Sequence, residues 1–474
     1  MATLAVMCAQ IVTHPCMSKP IHSGRKRSNA WLLAALLPSL ALSSLLAQQV
    51  PVVEKTLSNG MRVLLVERED ETTVSGGWVA HVGSSNERPG ITGIAHLFEH
   101  MMFKGSENVG SGEHFMLVFN NGGNMNGTTN TDRTNYFEVL PANQLDLALF
   151  LESDRMRSLA ITKDNLDNQR NAVQEERRLG VDNQAYGKSD ELQQELLYDN
   201  FAYKHTTIGS MEDLNAASVE DVAAFFKMYY APNNATIVVV GDFKTADALA
   251  KLRTSFEAIP RQPTPPPVDM TEPQQTAERR ANVDDVLARA PRVDIAYKAL
   301  PGNTADFYAL QVLNAALQGG QSSRLYQKLV KEKEMTTNVG GFIDERRGTG
   351  ALYTNATLRP NVKTADVEAL IYAEIDRLKK EPIADWELNK AKNTTRRGFI
   401  TGLQSSISRA ITLGQYAVYY NEPGLINTRL DKVAAVTKED VQRVANKYLA
   451  DTNRTVVVTM PKSKPRGTNA SSGQ

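Results

Sequence analysis

The stretch that decides the fold is Ser218-Val-Glu-Asp-Val, with Tyr229, Ala231, Asn234 and Thr236-Ile-Val-Val-Val after it. It reappears as Thr437-Lys-Glu-Asp-Val, followed by Tyr448, Ala450, Asn453 and Thr455-Val-Val-Val. Each matched pair has the same offset, since 439 − 220 = 219 and 453 − 234 = 219. Because a helix start, a helix end and a strand recur together at one spacing, the sequence predicts two copies of one fold.

Proline marks the boundary between the two copies. Six prolines lie between Pro260 and Pro273, a density that neither a helix nor a central strand tolerates. We therefore predict an extended linker over residues 260–283. It separates an N-terminal domain over residues 48–259 from a C-terminal domain over residues 284–461, and a disordered tail follows over residues 462–474.

Each predicted copy mixes short β-rich runs with long amphipathic helices. The periodicity predicts strands over residues 61–66, 74–82, 136–140 and 236–240 in the first copy and over 293–297, 351–358 and 455–459 in the second. Helices are predicted to begin after Thr162, Ser218 and Thr437, whose side chains can cap a helix. The predicted fold class is α+β, with two homologous halves that each form a mostly antiparallel sheet with helices on one face.

The first 47 residues have the layout of a secretory signal peptide. Gly24-Arg-Lys-Arg-Ser28 precedes an uncharged apolar run over residues 31–47. This pattern predicts cleavage after Ala47 and export to the periplasm or the cell exterior. The alternative is an uncleaved membrane anchor, which Pro38 and the length of the run disfavour, because a span needs roughly 20 residues. No later apolar run is long enough to span, so we expect no stable membrane insertion after cleavage.

Composition excludes several classes of function. The chain has 474 residues, with 53 Lys and Arg against 53 Asp and Glu, and 42% of its residues are hydrophobic, as in an ordinary globular protein. The predicted mature chain loses four basic residues and no acidic one, so its balance becomes 49 − 53 = −4. We expect no nucleic-acid binding, which normally needs a basic surface. Cys8 and Cys16 both precede the predicted cleavage site, so neither disulfides nor cysteine metal sites are expected beyond it.

The stretch Thr92-Gly-Ile-Ala-His-Leu-Phe-Glu-His-Met-Met-Phe-Lys-Gly105 carries the residues that point to chemistry. It predicts one capped helix that is apolar nearly all round, as a buried helix is. His96, Glu99 and His100 are the exceptions, and their spacing places all three on one face. Burying two imidazoles and a carboxylate without partners would cost several kcal/mol, and a divalent metal removes that cost. The order His-x-x-Glu-His is the inverted zincin motif, which predicts Zn²⁺ on His96 and His100.

The alternative is a pair of core histidines satisfied by hydrogen bonds alone. The other histidines of the predicted mature chain, His81, His114 and His205, are isolated, and we interpret them as surface or strand residues.

A catalytic zinc site takes three protein ligands and leaves one position open. With no cysteine available, the third ligand is His, Asp or Glu. The predicted helix after Thr162 offers Glu175 and Glu176, of which Glu176 shares a stripe with Gln169 and Glu175 shares one with Leu179. Periodicity does not choose between them, and both also suit solvated helix positions.

The sequence resembles the M16 metallopeptidases, which include pitrilysin, insulin-degrading enzyme and mitochondrial processing peptidase, and is most similar to their shorter bacterial two-domain members. The resemblance rests on Leu57-Ser-Asn-Gly-Met-Arg-Val, Gly83-Ser-Ser-Asn-Glu87, the motif from His96 to His100, Gly122-Gly-Asn-Met-Asn126-Gly-Thr-Thr and Ser322-Ser-Arg-Leu-Tyr. It implies two homologous halves that face each other across a cavity. It also implies a third ligand inside a segment like Arg-Asn-Ala-Val-x-x-Glu, which selects Glu176 over Glu175.

The resemblance further implies a zinc-dependent endopeptidase that hydrolyses peptides or unfolded segments. Zn²⁺ would be held by His96, His100 and Glu176, with Glu99 as general base on the zinc-bound water. The segment 124–129 resembles the family's substrate-binding edge strand, which implies that Asn126 and Gly127 bind the peptide, although relatives usually carry alanine in place of Gly127. The alternative function is a non-catalytic scaffold or binding subunit of a larger complex.

Two departures from the family pattern bear on the site. Gln169 stands where the family often has a second glutamate, seven positions before the ligand. Relatives also carry an arginine and a tyrosine in the second half, but Val330 and Thr337 occupy those positions, and the nearby Arg324 and Tyr326 belong to a different helix start. We therefore predict a heterodimer with a zinc-less homologue that supplies the missing pair, with a homodimer as the alternative.

Overall fold

The computed structural model describes residues 49–462. The predicted signal peptide over residues 1–47 and the predicted tail beyond Lys462 lie outside the described residues.

The first half of the described chain alternates strands and helices around one sheet. Its elements are β1 (Val53–Thr56), β2 (Arg62–Glu67), β3 (Thr73–Ala80), α1 (Ile94–Met101), α2 (Glu113–Asn120), β4 (Asn124–Thr129), β5 (Thr134–Pro141), α3 (Leu145–Ser158), α4 (Lys163–Arg177), α5 (Gly187–Leu197), α6 (Phe201–Lys204), α7 (Met211–Ala216), α8 (Val219–Tyr229), β6 (Ala235–Gly241) and α9 (Thr245–Phe256). A π-helical turn, Arg178–Asp182, extends α4.

The second half is built in the same way. Its elements are β7 (Arg279–Asp285), β8 (Arg292–Lys298), α10 (Ala305–Gln318), a π-helical segment (Tyr326–Glu332), β9 (Thr336–Asp344), β10 (Ala351–Leu358), α11 (Thr364–Lys380), α12 (Asp385–Gly402), α13 (Ser406–Tyr420), α14 (Leu425–Ala434), α15 (Lys438–Tyr448) and β11 (Arg454–Pro461). The proline-rich residues 260–278 form neither helix nor strand, and β7 begins inside the range that the sequence predicts as linker.

The two sheets share one topology. The first has six strands in the order β1-β2-β6-β3-β5-β4, and the second has five in the order β7-β11-β8-β10-β9. Without β1, the two orders match strand for strand, so the predicted α+β fold of two homologous halves is confirmed. Both sheets are mixed rather than purely antiparallel, because β2 pairs with β6 and β7 pairs with β11 in parallel.

The repeat that predicts the duplication falls on equivalent elements. Helix α8 begins after Ser218 and helix α15 after Thr437, and each of these caps forms a reciprocal capping box with an aspartate three residues later. The helices occupy Val219–Tyr229 and Lys438–Tyr448, which differ by the predicted 219 residues at both ends. Strands β6 and β11 follow and lie inside their sheets.

Each half contributes a segment that packs on the sheet of the other half. The first sheet packs one face on its own helices, while Leu64, Val66 and Val238 on the opposite face bury against Leu413 and Ala417 of α13 from the second half. Reciprocally, Leu197 at the end of α5 and the segment after it cover Ala296 and Ala351 of the second sheet. These apolar faces are thereby removed from water, which ties the halves together.

Within residues 49–462, no helix combines the length and apolar character that crossing a bilayer requires.

Candidate metal centre

Helix α1 places three polar side chains on one side of an otherwise apolar helix. Ile94, Ala95, Leu97, Phe98 and Met101 are buried in the first core. His96 and His100 lie one turn apart, with ring centroids 4.8 Å from each other. The helix is shorter than the predicted range and begins at Gly93 rather than at a side-chain cap.

Helix α4 brings a carboxylate to the two imidazoles. Glu176 Oε2 lies 3.7 Å from His96 Nε2 and 3.4 Å from His100 Nε2. Glu175 points elsewhere, and its carboxylate accepts a hydrogen bond from Arg178 at 3.0 Å. Of the two glutamates that periodicity leaves open, the structure therefore groups Glu176 with the histidines, as the family resemblance implies.

The geometry and protonation of the trio His96, His100 and Glu176 fit a zinc ion. Two ligands at about 2.0–2.1 Å in a tetrahedral arrangement lie about 3.4 Å apart, which is close to the distances of 3.4 and 3.7 Å from Glu176 Oε2 to the two imidazole nitrogens. Burial, and secondarily the neighbouring His100, lowers the pKa of His96 to about 4, and burial also lowers the pKa of His100. Both imidazoles are therefore neutral at pH 7, the form that can donate a lone pair to a metal.

The two imidazoles differ in the rest of their surroundings. Gln169, one of the departures from the family pattern, is buried on α4, and its side chain interacts with His100. His96 Nδ1 is buried and has no hydrogen-bond partner among the described residues. With a metal on Nε2, Nδ1 would carry the proton, and its N–H has no acceptor among the described residues, which is costly in a core.

Glu99 lies beside the trio and is held by the neighbouring strand. Thr129 Oγ1 at the end of β4 donates a hydrogen bond to Glu99 Oε2 at 2.5 Å. Burial and, secondarily, the charge of Glu176 raise the pKa of Glu99 to about 7, although the Thr129 hydrogen bond and the charge of Arg133 oppose the rise. A carboxyl group with a pKa near the working pH can both accept and return a proton.

Strand β4 forms the edge of the first sheet beside Glu99. It pairs with β5, and no described strand pairs with its other side. Asn126 is exposed and Gly127 is buried. A Cβ atom on Gly127 would lie 2.8 Å from Glu99 Cγ and 2.9 Å from Glu99 Oε1, so the strand passes closer to Glu99 than alanine would permit without movement. The backbone of β4 thus has one side unpaired among the described strands and runs beside the Glu99 carboxylate.

The second half supports this edge strand through the β4–β5 turn. Asp132 Oδ2 accepts a hydrogen bond from the Arg347 backbone N–H at 2.9 Å, and Asn130 donates to the Tyr419 hydroxyl at 2.8 Å. Asp132 Oδ1 also accepts from the Tyr203 hydroxyl at 3.0 Å. The second half therefore contributes to the geometry of the site. Its own helix α10 ends at Gln318, which the 219-residue offset of the repeat makes the equivalent of Glu99 on α1.

The residues that stand in the family's arginine and tyrosine positions are structural. Val330 is partly buried against the second core, and the Thr337 hydroxyl donates to the Thr357 carbonyl oxygen at 3.3 Å. Arg324 makes two hydrogen bonds of 2.7 Å to Glu387. Among the described residues, the missing pair therefore has no replacement at those positions.

A second group of potential ligands is buried where α2, β5 and α3 meet. His114, Glu138 and Glu152 offer donor atoms within 4.8 Å of one another. The guanidinium of Arg155 lies within this group and donates to Glu152 Oε2 at 3.0 Å. Burial and the charge of Glu152 raise the pKa of Glu138 well above its usual range. A proton on Glu138 and the Arg155–Glu152 pair balance the buried charge without a cation.

Comparison with known proteins places the chain in a class. The family model described as insulinase (peptidase family M16) matches residues 62–210, and the model of the peptidase M16 inactive domain matches residues 216–395. The chain belongs to peptidase family M16.

A named protein and a solved structure from one organism resemble the chain over nearly its whole length. The zinc protease PqqE of Helicobacter pylori is 32% identical over 445 residues, which cover 91% of this chain and 98% of that protein. The crystal structure of a protease from Helicobacter pylori superposes with a TM-score of 0.83 at 31% identity, over 87% of this chain and 100% of that chain.

More distant relatives agree with this assignment. An uncharacterised zinc protease of Streptomyces coelicolor is 24% identical over 83% of this chain and 86% of its own length. The crystal structure of the periplasmic protease PqqL of Escherichia coli superposes with a TM-score of 0.72 at 18% identity. The superposition covers 88% of this chain and 48% of that chain, and it shows the shared fold alone.

Proposed function

We propose that the protein is a zinc-dependent endopeptidase that hydrolyses peptides or unfolded segments of proteins. The observation that carries this proposal is the convergence of His96, His100 and Glu176 beside a buried carboxylate and an unpaired strand edge. Its relatives named as zinc proteases support the same chemistry.

Three side chains would hold the metal. Two neutral imidazoles and one carboxylate form a donor set found in catalytic zinc sites, which keep a position open for water or substrate. When bound, zinc supplies Lewis-acid activation of the attacking water and of the scissile carbonyl group. The partial exposure of Glu176 and His100 leaves this site accessible from solvent.

Glu99 is the proposed general base. Its carboxylate accepts a proton from the attacking water and delivers that proton to the amine nitrogen that leaves. The hydrogen bond from Thr129 fixes one carboxylate oxygen, which leaves Oε1 facing the backbone of Gly127 and the space beside the strand.

The substrate would bind as an additional strand on β4. An extended peptide can pair with the outward backbone groups of an edge strand, with Asn126 and Gly127 at its centre. The Gly127 N–H donates to Asn126 Oδ1 at 2.9 Å, so the peptide would replace that contact. Recognition of this kind depends on backbone hydrogen bonds and requires a segment that is not already folded. We therefore propose peptides and unfolded segments as substrates.

A partner subunit of the same fold would complete the site. The family's arginine and tyrosine positions hold Val330 and Thr337, so a zinc-less homologue that carries the pair would supply the groups that bind substrate in relatives. A homodimer is the alternative assembly. We also propose export directed by residues 1–47, with catalytic and zinc-free domains over residues 48–259 and 284–461 joined by the linker 260–283.

A non-catalytic scaffold is the second candidate, because a model of the inactive domain matches residues 216–395. The trio in the first half favours the peptidase.

Purified protein, incubated with an unstructured peptide mixture, separates these candidates. We expect cleavage that stops with a zinc chelator and returns when zinc, but not magnesium, is restored. Cleavage that resists complete removal of zinc would contradict the proposed chemistry. Bound zinc without cleavage, even with a zinc-less homologue added, would favour the scaffold.

A further inference from the structure

Helix α1 begins without a cap of its own. The backbone N–H groups of a first helical turn have no partners inside the helix. Gly93, at the N-cap position in the left-handed conformation, has no side chain to offer. The hydroxyl of Thr92 is directed away, because it donates to the carboxylate of Asp213.

The missing cap is supplied by Glu87, from the segment that precedes the helix. Glu87 Oε2 accepts a hydrogen bond from the Gly93 N–H at 2.9 Å, and Oε1 accepts one from the Ala95 N–H at 2.8 Å. Ala95 is the residue directly before His96. A carboxylate at a helix N-terminus is also favoured by the helix dipole. The position of one proposed zinc ligand is thus tied to a single carboxylate.

His205 holds this carboxylate in place. The Glu87 side chain has no exposed surface, and His205 Nε2 lies 2.9 Å from Glu87 Oε2. His205 Nε2 is also 3.0 Å from the Ser84 carbonyl oxygen, and Nδ1 is 2.8 Å from the Phe201 carbonyl oxygen. The sequence alone indicates a surface or strand residue at His205, but its side chain is only 12% exposed.

The hydrogen-bond pattern defines the charges of the pair. Both oxygens of Glu87 accept from backbone N–H groups, and His205 Nε2 lies close to both Glu87 Oε2 and the Ser84 carbonyl oxygen. A proton on Nε2 serves both of these acceptors, whereas a proton on Glu87 would leave the Ser84 carbonyl oxygen facing the lone pair of Nε2. With Glu87 ionised, both nitrogens of His205 face acceptors, so both carry protons. Burial alone would lower the pKa of His205, but the hydrogen bond and charge of Glu87, helped by the two carbonyl oxygens, raise it. Burial raises the pKa of Glu87, and the hydrogen bonds from His205, Ala95 and Gly93 oppose that rise. The hydrogen-bond geometry therefore favours a buried carboxylate beside an imidazolium.

We propose that Glu87 and His205 are positioning residues that fix the first turn of α1 and thereby determine how tightly zinc is bound. The inference rests on the proposed zinc site. Neither residue touches the metal ligands, so their effect travels through the Gly93 and Ala95 backbone. Groups that orient metal ligands from outside the first coordination sphere typically change metal affinity about 10- to 100-fold when mutated.

Zinc affinity of the full chain tests the proposal, measured by competition with a chromophoric chelator. Glu87→Gln and His205→Gln should each weaken zinc binding about 10- to 100-fold. The double variant should be no weaker than the weaker single variant, because both residues act through one contact. Cobalt-substituted variants should also show a changed visible absorption spectrum, which reports the ligand geometry directly.

A matched control separates this effect from a loss of stability. Glu345→Gln breaks a comparable pair in the second half, where Arg429 donates to Glu345 at 2.7 and 2.8 Å. We expect that variant to lower the melting temperature but to keep the zinc affinity within about twofold, because the pair lies outside the proposed site. His205→Gln keeps the Glu87 carboxylate on the helix and serves as the test if Glu87→Gln fails to fold.

The outcomes distinguish two failures. Wild-type zinc affinity and an unchanged cobalt spectrum in a folded His205→Gln variant would overturn this inference and leave the proposed function intact. A wild-type chain that binds no zinc would overturn the proposed function and this inference with it.

Discussion

Replacement of Thr129 by valine removes the hydrogen bond that orients the proposed base. Among the described residues, the Thr129 hydroxyl is the only hydrogen-bond donor to the Glu99 side chain, at 2.5 Å from Oε2. A hydrogen bond to a charged group contributes about 1.5–3 kcal/mol. If that energy is lost from the transition state, kcat falls about 10- to 150-fold, because each 1.36 kcal/mol corresponds to a factor of about ten.

The assay for Thr129→Val is steady-state cleavage of a quenched fluorogenic peptide, with zinc content measured on the same samples. We expect kcat to fall while KM stays within about twofold, because the proposed substrate contacts on β4 are backbone groups. Zinc content should be unchanged, since Thr129 is not one of the three proposed ligands.

Thr337→Val is the matched control for this change. Thr337 lies on β9, the equivalent edge strand of the second half, and its hydroxyl donates to a backbone carbonyl oxygen at 3.3 Å. We expect wild-type kcat in that variant. Wild-type kcat in Thr129→Val, or an equal loss in both variants, would refute the view that Thr129 orients the base.

Three other variants or mixtures test separate parts of the account. Glu176→Gln should lose bound zinc and Glu175→Gln should keep it, because Glu175 is paired with Arg178; the reverse result would move the ligand by one residue. Adding a zinc-less homologue should raise the peptidase rate of the chain, and full activity of the chain alone would refute the division of labour. Asp132→Asn replaces the carboxylate that accepts from the Arg347 N–H with a group that can no longer accept at both oxygens, so urea unfolding should show a loss of about 1–3 kcal/mol. Unchanged stability would mean that this contact between the halves is not needed.

The duplicated fold can be predicted because its signals are local. Ser218 and Thr437 begin helices with the same capping box, and the strands that follow are continuous apolar runs. The strands that the sequence does not predict have weaker patterns. Strand β7 is Arg-Arg-Ala-Asn-Val-Asp-Asp, whose residues alternate between partly buried and exposed, and β9 contains two adjacent glycines. Such strands are stabilised by their neighbours in the sheet rather than by their own composition.

The site can be predicted as far as its residues lie on one helix. His96, Glu99 and His100 are linked by a helical period, so their common face follows from spacing alone. The choice of Glu176 over Glu175 depends on how α4 packs against α1, which periodicity does not contain, and it needs the family resemblance.

Long-range partners of the site cannot be predicted from the sequence. Thr129 reaches Glu99 across a strand–helix contact, and His205 reaches Glu87 over a separation of 118 residues. A histidine with no motif around it gives no sequence signal of burial, which is why the interpretation of His114 and His205 as surface or strand residues is wrong. His114 is buried on helix α2, and the His205 side chain is only 12% exposed. The parallel pairing of β2 with β6 is also missed, because the predicted strands carry no direction of pairing.

The most direct test of the central claim is a parallel measurement of zinc stoichiometry and peptide turnover in the wild-type chain and in Glu99→Gln, each with its partner subunit if one is required. The amide side chain of that variant would keep the shape of the glutamate and the Thr129 contact but could not accept a proton. We predict one zinc per chain in both proteins, with turnover in the wild type and a loss of at least about 100-fold in the variant, as expected for removal of a general base. Retained turnover in Glu99→Gln, or a wild-type chain without zinc, would contradict the account.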